Sequence, residues 1–122
     1  MPDNRRYLMV HGHFYQPPRE NPWTGKIEPQ PSAAPWPNWN SRIAAECYLP
    51  MAGARVRDAG ERIISLCNNY TRMSFNFGPT LLAWLADAEP QFLGQLREAM
   101  LSNRDCALAQ AYSHPIDRKS VV

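Results

Sequence analysis

Proline placement constrains this chain more than any other feature. Seven of its 12 prolines (Pro17, Pro18, Pro22, Pro29, Pro31, Pro35 and Pro37) lie between Tyr15 and Asn40. Proline fixes φ and has no N–H to donate, so residues 15–40 cannot form a helix interior or a central strand. Structureless loops of that length are uncommon in compact domains and are usually functional or disordered. Trp23, Trp36 and Trp39 in the same stretch favour an ordered, functional loop. The tryptophans themselves have two readings: packing the prolines back onto the body, or offering flat apolar faces with a polar edge to sugar rings.

Regular patterns flank this loop. Tyr7 to Phe14 carries the apolar run YLMV and reads as a buried strand. Helices are expected across 41–70. SRIAAECY can be capped by Asn40 or Ser41 and ended by Pro50, and a second helix from about Ala52 to Cys67 follows from the spacing of Val56, Ala59, Ile63, Leu66 and Tyr70. Met73, Phe75 and Phe77 alternate with polar residues, giving a strand over 72–77. Pro79 and Pro90 each suit a first helical turn, so 79–102 reads as helices, with Trp84 in their core. A third strand is expected over 106–112. Strands alternating with helices imply an α/β fold with parallel strands and right-handed crossovers. Three strands are too few for a closed barrel of ~250 residues, so the 122-residue chain reads as the first three βα units of something larger.

Composition removes several function classes. The net charge is only +2 and the basic residues are dispersed, which does not indicate nucleic-acid or membrane binding by electrostatics. No apolar run reaches the ~20 residues of a membrane helix, and the first residues do not form a signal peptide. Cys47, Cys67 and Cys106 have no CxxC spacing, so neither a disulfide framework nor a zinc ribbon is expected and a cytoplasmic setting is the default.

Ligands of parallel α/β folds bind at the carboxyl ends of strands. Those ends carry His11, His13 and Gln16 after the first strand, Asn76 after the second, and Gln110 and His114 after the third. His11 and His13 are two residues apart and share a strand face. A single histidine at a strand end is ordinarily a surface residue, and Asn76 before Gly78-Pro79 could be turn chemistry. All of them gathered at one end favour a polar floor for a ligand. Zinc at His11-x-His13 would need a third ligand, and no acidic residue stands at a suitable strand end. Hydrogen bonding to a polar ligand is therefore favoured over metal, and no cofactor is expected.

Four blocks, HGHFYQPPRENPW, NWNSRIAAECY, NNYTRMSFNFGPTLLAWL and AQAYSHPI, resemble the amino-terminal region of glycoside hydrolase family 57, in the branch with an additional carboxyl-terminal domain of unknown function. HGHFYQPP resembles that family's histidine–glutamine–proline signature, here with Phe14 and Tyr15 separating His13 from Gln16-Pro17, and SHPI resembles its second signature region. The resemblance implies an incomplete seven-stranded β/α barrel that acts on α-glucans with retention of configuration. That chemistry needs two carboxyl groups ~5 Å apart. In the family these are a glutamate and an aspartate of later signature regions, and none of this chain's acidic residues matches either. The expected role is thus an amino-terminal fragment that contributes substrate-binding residues (His11, His13, Gln16, Trp23, Trp36, Asn76, Gln110 and His114) to an oligo- or polysaccharide site without catalysing. The last residues, 117–122, read DRKSVV where the family continues with an apolar segment, so an aberrant tail from a truncated or frameshifted frame is expected. Two other classes stay open: a standalone carbohydrate-binding piece, and a metal-dependent deacetylase-like barrel fragment using His11 and His13.

Overall fold

The structure is a computed structural model and describes residues 4–114. The expected aberrant tail, 117–122, lies outside the described residues. Two strands, β1 (His11–Phe14) and β4 (Ser74–Phe77), pair in parallel, with His11 opposite Ser74 and His13 opposite Asn76. Between them run α1 (Trp39–Ile43), α2 (Leu49–Ala52) and an antiparallel hairpin, β2 (Ala54–Arg57) with β3 (Ile63–Cys67). After β4 come α3 (Pro79–Ala88) and α4 (Pro90–Ser102). The described residues thus combine helices with two two-stranded sheets, one parallel and one antiparallel. No closed barrel is formed by the described residues.

The pleat sorts the strand residues. Phe14, Phe75 and Phe77 turn toward the helices and are buried, while His11, His13, Ser74 and Asn76 turn to the opposite, helix-free face. Behind the strands, Phe14 stacks on Phe77 at 4.7 Å between ring centroids, and Tyr70 meets Phe75 at 5.4 Å and Phe92 at 5.7 Å edge-on. Leu81, Leu85, Leu96 and Ala99 from α3 and α4 complete this core. Gly12 makes room for it, since a Cβ there would meet Phe14 Cε2 at 2.5 Å and Met73 Cε at 2.6 Å.

Several boundaries differ from the sequence expectation. The strand read over 7–14 pairs only from His11. Tyr7, Leu8, Met9 and Val10 are exposed; continuing the register would set Tyr7 and Leu8 against Tyr70 and Thr71, which lie in a 3-10 turn rather than a strand. The strand read over 72–77 likewise starts at Ser74. Pro50 does not end the first helix: the turn Ala44–Tyr48 widens, with Leu49 N–H bonding Ala44 O five residues back, and the helix runs on to Gly53.

The largest correction lies at 52–67, which is a hairpin and not a helix. Gly53 ends α2, and Asp58 Oδ1 accepts from Gly60 N–H (2.9 Å) and Arg62 N–H (3.0 Å), fixing a turn in which Glu61 has φ 61°. β-Branched Val56, Ile63 and Ile64 then favour strand over helix, overriding the helical spacing. The third strand read over 106–112 reduces to one parallel bridge, Phe75 to Ala107, with hydrogen bonds Phe75 N to Cys106 O (2.7 Å) and Leu108 N to Phe75 O (2.8 Å).

The proline-rich loop is ordered by its own polar groups. Gln30 N–H donates to Pro37 O, Trp39 N–H to Gln30 Oε1, and Trp39 Nε1–H to Ser32 Oγ, each near 2.9 Å. Asn38 then caps α1 by accepting from Ser41 N–H at 2.9 Å.

Candidate functional site

The helix-free face of β1 and β4 carries two polar rungs. His11 Nδ1 lies 2.8 Å from Ser74 Oγ, and His13 Nδ1 lies 2.7 Å from Asn76 Oδ1. Each rung joins residues in register across the ladder. At the carboxyl end, His13 Nε2 meets His114 Nε2 at 3.0 Å. With Asn76 Oδ1 as acceptor, the His13 proton sits on Nδ1, so its neutral ring accepts at Nε2 and His114 Nε2–H donates. One side chain on β4 thereby sets the tautomer of a ring on β1 and the role of a ring from the third segment.

His13, Asn76, Gln110, Ala111 and His114 line a cleft of about 220 Å³ at this end. None of them is charged at neutral imidazole. Gln110 is the least satisfied member: its Oε1 and Nε2 are both buried without a protein partner. Such atoms are costly unless something pairs with them, so they stand ready for a ligand or water. Tyr15 closes the other side of His114, with centroids 4.5 Å apart. Gly78, buried beneath, leaves the space that Tyr15 and Gln110 occupy, because a Cβ there would stand 2.8 Å from Tyr15 Cδ2 and 2.9 Å from Gln110 Nε2.

Four sequence-derived candidates, His13, Asn76, Gln110 and His114, therefore meet in one cleft, with His11 one rung below. Gln16 does not join them. Its Nε2 donates to Tyr48 OH (2.9 Å) and its Oε1 accepts from Arg19 Nη2 (2.8 Å), while Arg19 Nε donates to the buried Asn40 (3.0 Å). This makes Gln16 a tie between the loop and the helices. Trp23 is 93% exposed at the tip of a turn held by Asn21, and Trp36 follows the cis Ala34–Pro35 peptide at the edge of exposure. Neither lines the cleft. Trp39 packs under Arg42 and on Ser32, so it belongs to the loop's own structure.

Tyr15 is not among the residues that the sequence singles out. Its signal is present in the pleat: it stands two residues after His13, on the same side of the extending chain. The tie from Gln16 through Arg19 to Asn40 has no local signal.

Burial pushes the Tyr48 phenol up, against the lowering effect of the Gln16 hydrogen bond, and pushes the Tyr70 phenol far above its ordinary value. Tyr70 OH donates to Tyr48 O and Tyr48 OH accepts from Gln16 Nε2, both within the core behind the strands. Among the described residues, no group of three or more His, Cys, Asp or Glu could hold a metal ion. No helix among them is long and apolar enough to cross a membrane. No family profile, curated protein or solved structure matches the chain.

Proposed function

We propose that this chain supplies the sugar-binding lip of a glycoside hydrolase family 57-like barrel, gripping an α-glucan while the two reacting carboxyl groups come from barrel elements other than those described. The observation that carries this reading is the helix-free face of β1 and β4, where His13, Asn76, Gln110 and His114 converge at the strand carboxyl ends. Uncharged donors and acceptors beside an aromatic ring suit a neutral polyol: they can pair with hydroxyls, and the Tyr15 ring can cover an apolar sugar face. Among the described residues no carboxylate lines the cleft, which fits binding and not hydrolysis.

The test uses the full chain with maltoheptaose as the probe. A site of this size should bind at about the millimolar level, near −4 kcal/mol. Imidazole resonances of His13 and His114 should move on titration, and His114→Ala should abolish the movement while leaving the far-ultraviolet spectrum intact. No movement of either imidazole at saturating sugar would refute the reading. Starch and glycogen should remain uncut at every pH. Hydrolysis that is lost on mutating one of the chain's own carboxylates would contradict the proposed division of labour.

The exposed Trp23 favours one variation, a carbohydrate-binding piece that works through its loop. Quenching of Trp23 fluorescence by maltoheptaose, with both imidazoles unmoved, would select that variation.

A further inference from the structure

The β2–β3 hairpin has no part in the cleft, and its exposure is out of keeping with its composition. Ile63 is 52% exposed, Ile64 63% and Leu66 70%, and among the described residues no element outside the hairpin packs extensively against it. A two-stranded hairpin standing alone in water is marginal, and an uncovered apolar edge is a template for another strand. The bulge between Val56 and Arg57 brings Ile63, Ile64 and Leu66 onto the same side as Arg55 and Arg57.

Its two edges are not equivalent. The β2 strand, ARVR, carries Arg55 and Arg57, both exposed, and a two-fold β2-to-β2 pairing centred on Val56 would set Arg55 against the second copy's Arg57. The β3 strand, IISLC, has no charge, no proline and no glycine, so nothing guards it. We propose that β3 pairs antiparallel with β3 of a second copy of this chain, giving a four-stranded sheet in the order β2–β3–β3–β2. Centred on Ser65, the two-fold pairing sets Ser65 against the second copy's Ser65, and Ile64 against the second copy's Leu66. Both Ile64–Leu66 pairs then lie together on the apolar side.

Charge decides for this arrangement over the alternatives. The arginine-bearing strands become the outer strands, three spacings or about 14 Å apart. That exceeds the screening length of about 8–10 Å, so their repulsion is small. The arginines then guard both remaining edges, and assembly stops at two. An anionic membrane is disfavoured as the occupant, because Asp58 and Glu61 stand at the hairpin tip that would enter it first. The hairpin also joins the body through Cys67 and the turn at Asn69–Thr71, at the amino end of β4. A dimer made there leaves the carboxyl-end cleft open, so this inference does not depend on what the cleft binds.

Sedimentation equilibrium of the full chain should show a concentration-dependent dimer, of the weak class expected for interfaces below about 1,200 Å². Ile64→Lys and Leu66→Lys should each raise the dissociation constant at least about tenfold. Arg57→Glu, on the outer strand, should leave it within a factor of about two. Ser65→Cys gives a readout that needs no destabilising change. Directly opposed antiparallel residues have Cα atoms about 4.5–5.5 Å apart, within disulfide reach, so oxidation should join two chains through the introduced thiols. Peptide mapping would separate that bridge from one made by Cys47 or Cys67. A strictly monomeric chain, a dimer indifferent to Ile64→Lys and Leu66→Lys, a Ser65→Cys chain that crosslinks no faster than wild type, or a ladder of larger crosslinked species would each overturn the proposal.

Discussion

Gly78→Ala should damage the cleft floor by an amount that the geometry bounds. The backbone at Gly78 has φ −60° and ψ 135°, which alanine adopts freely, so conformation does not require a glycine. Space does. The added methyl would stand 2.8 Å from Tyr15 Cδ2 and 2.9 Å from Gln110 Nε2, where ordinary contacts begin near 3.5 Å. Both side chains must retreat by roughly 0.6 Å, and Tyr15 is held on its far side by the His114 ring. Overpacking of this kind costs about 1–3 kcal/mol. The reduced freedom of alanine in the unfolded chain returns about 0.4–1 kcal/mol, leaving a net loss of about 1–2 kcal/mol. With a urea m-value of about 1–3 kcal/mol/M, the unfolding midpoint should fall by roughly 1 M. Gly94→Ala is the matched control. Gly94 is exposed inside α4 and an added methyl would meet nothing within 4 Å, so the same substitution should raise stability by about 1 kcal/mol. The imidazole resonances of His13 and His114 should shift in Gly78→Ala and stay in place in Gly94→Ala. Equal midpoints for the two variants, or an unmoved His114 in Gly78→Ala, would refute the packed floor described above.

The remaining expectations concern the core and the first helix. Tyr70 is fully buried, and its hydroxyl donates to Tyr48 O at 2.8 Å. Tyr70→Phe keeps the ring contacts and should cost about 1–2 kcal/mol in chemical denaturation, because the carbonyl is left short of a partner. Burial raises the phenols of Tyr70 and Tyr48 and the thiols of Cys47 and Cys106. A raised folded pKa contributes stability that is fully present below the unfolded value and drains as pH rises through the folded one. Stability should therefore decline from about pH 8.5, where unfolded thiols ionise, and more steeply beyond about 10, where unfolded tyrosines do. Tyr70→Phe should flatten the second part of that decline and leave the first, which urea midpoints across the alkaline range would resolve. Asn38→Ala removes the acceptor for Ser41 N–H and should cost about 1 kcal/mol, read in the same assay, with Asn38→Asp restoring most of it.

What could be read from the sequence divides by the range of the interaction involved. The α3 and α4 helices were legible because each begins on a proline and buries residues at helical spacing, Leu81 with Leu85 and Phe92 with Leu96. The β4 strand was legible from alternation alone. The hairpin was not, because Val56, Ala59, Ile63 and Leu66 recur at the helical period, and the register shift beside Val56 leaves no clean strand alternation to oppose it. The deciding groups, the Asp58 carboxylate and the glycines at 53 and 60, act through local hydrogen bonds and chain breaking rather than through periodicity. Meeting of the strand-end residues followed from parallel topology, which placed His13, Asn76, Gln110 and His114 at one end. The inward turn of Gln16 could not follow from it. That orientation depends on Tyr48, 32 residues away, which the widened turn at Ala44–Tyr48 carries to Gln16.

The two faces of the β1–β4 ladder make unequal demands on what surrounds them. On one face the phenylalanines are sealed by α3, α4 and the Tyr70 ring. Parallel sheets are ordinarily covered on both faces, and a face meant for helices is apolar. The other face here is polar at both rungs, so a second helix layer would bury His11, His13 and Asn76 at a cost that their existing bonds only partly offset. A face of this kind belongs toward a ligand-filled or solvated interior. The edges point the same way. Beyond Ala107 a groove of about 470 Å³ is lined by Phe75, Leu82, Leu96, Met100 and Leu108, an apolar surface of the kind that a further strand and helix cover. Next to β1, Tyr7, Leu8 and Met9 stand exposed at more than four-fifths of their area, as residues awaiting a neighbouring strand would. A helix-covered side, polar groups at the strand carboxyl ends and two uncovered lateral edges are compatible with the proposed sector of a β/α barrel, whose binding groups would sit at those ends. The proposed barrel sector thus draws on the asymmetry of the ladder, and the cleft lies where the polar face reaches the carboxyl ends of its strands.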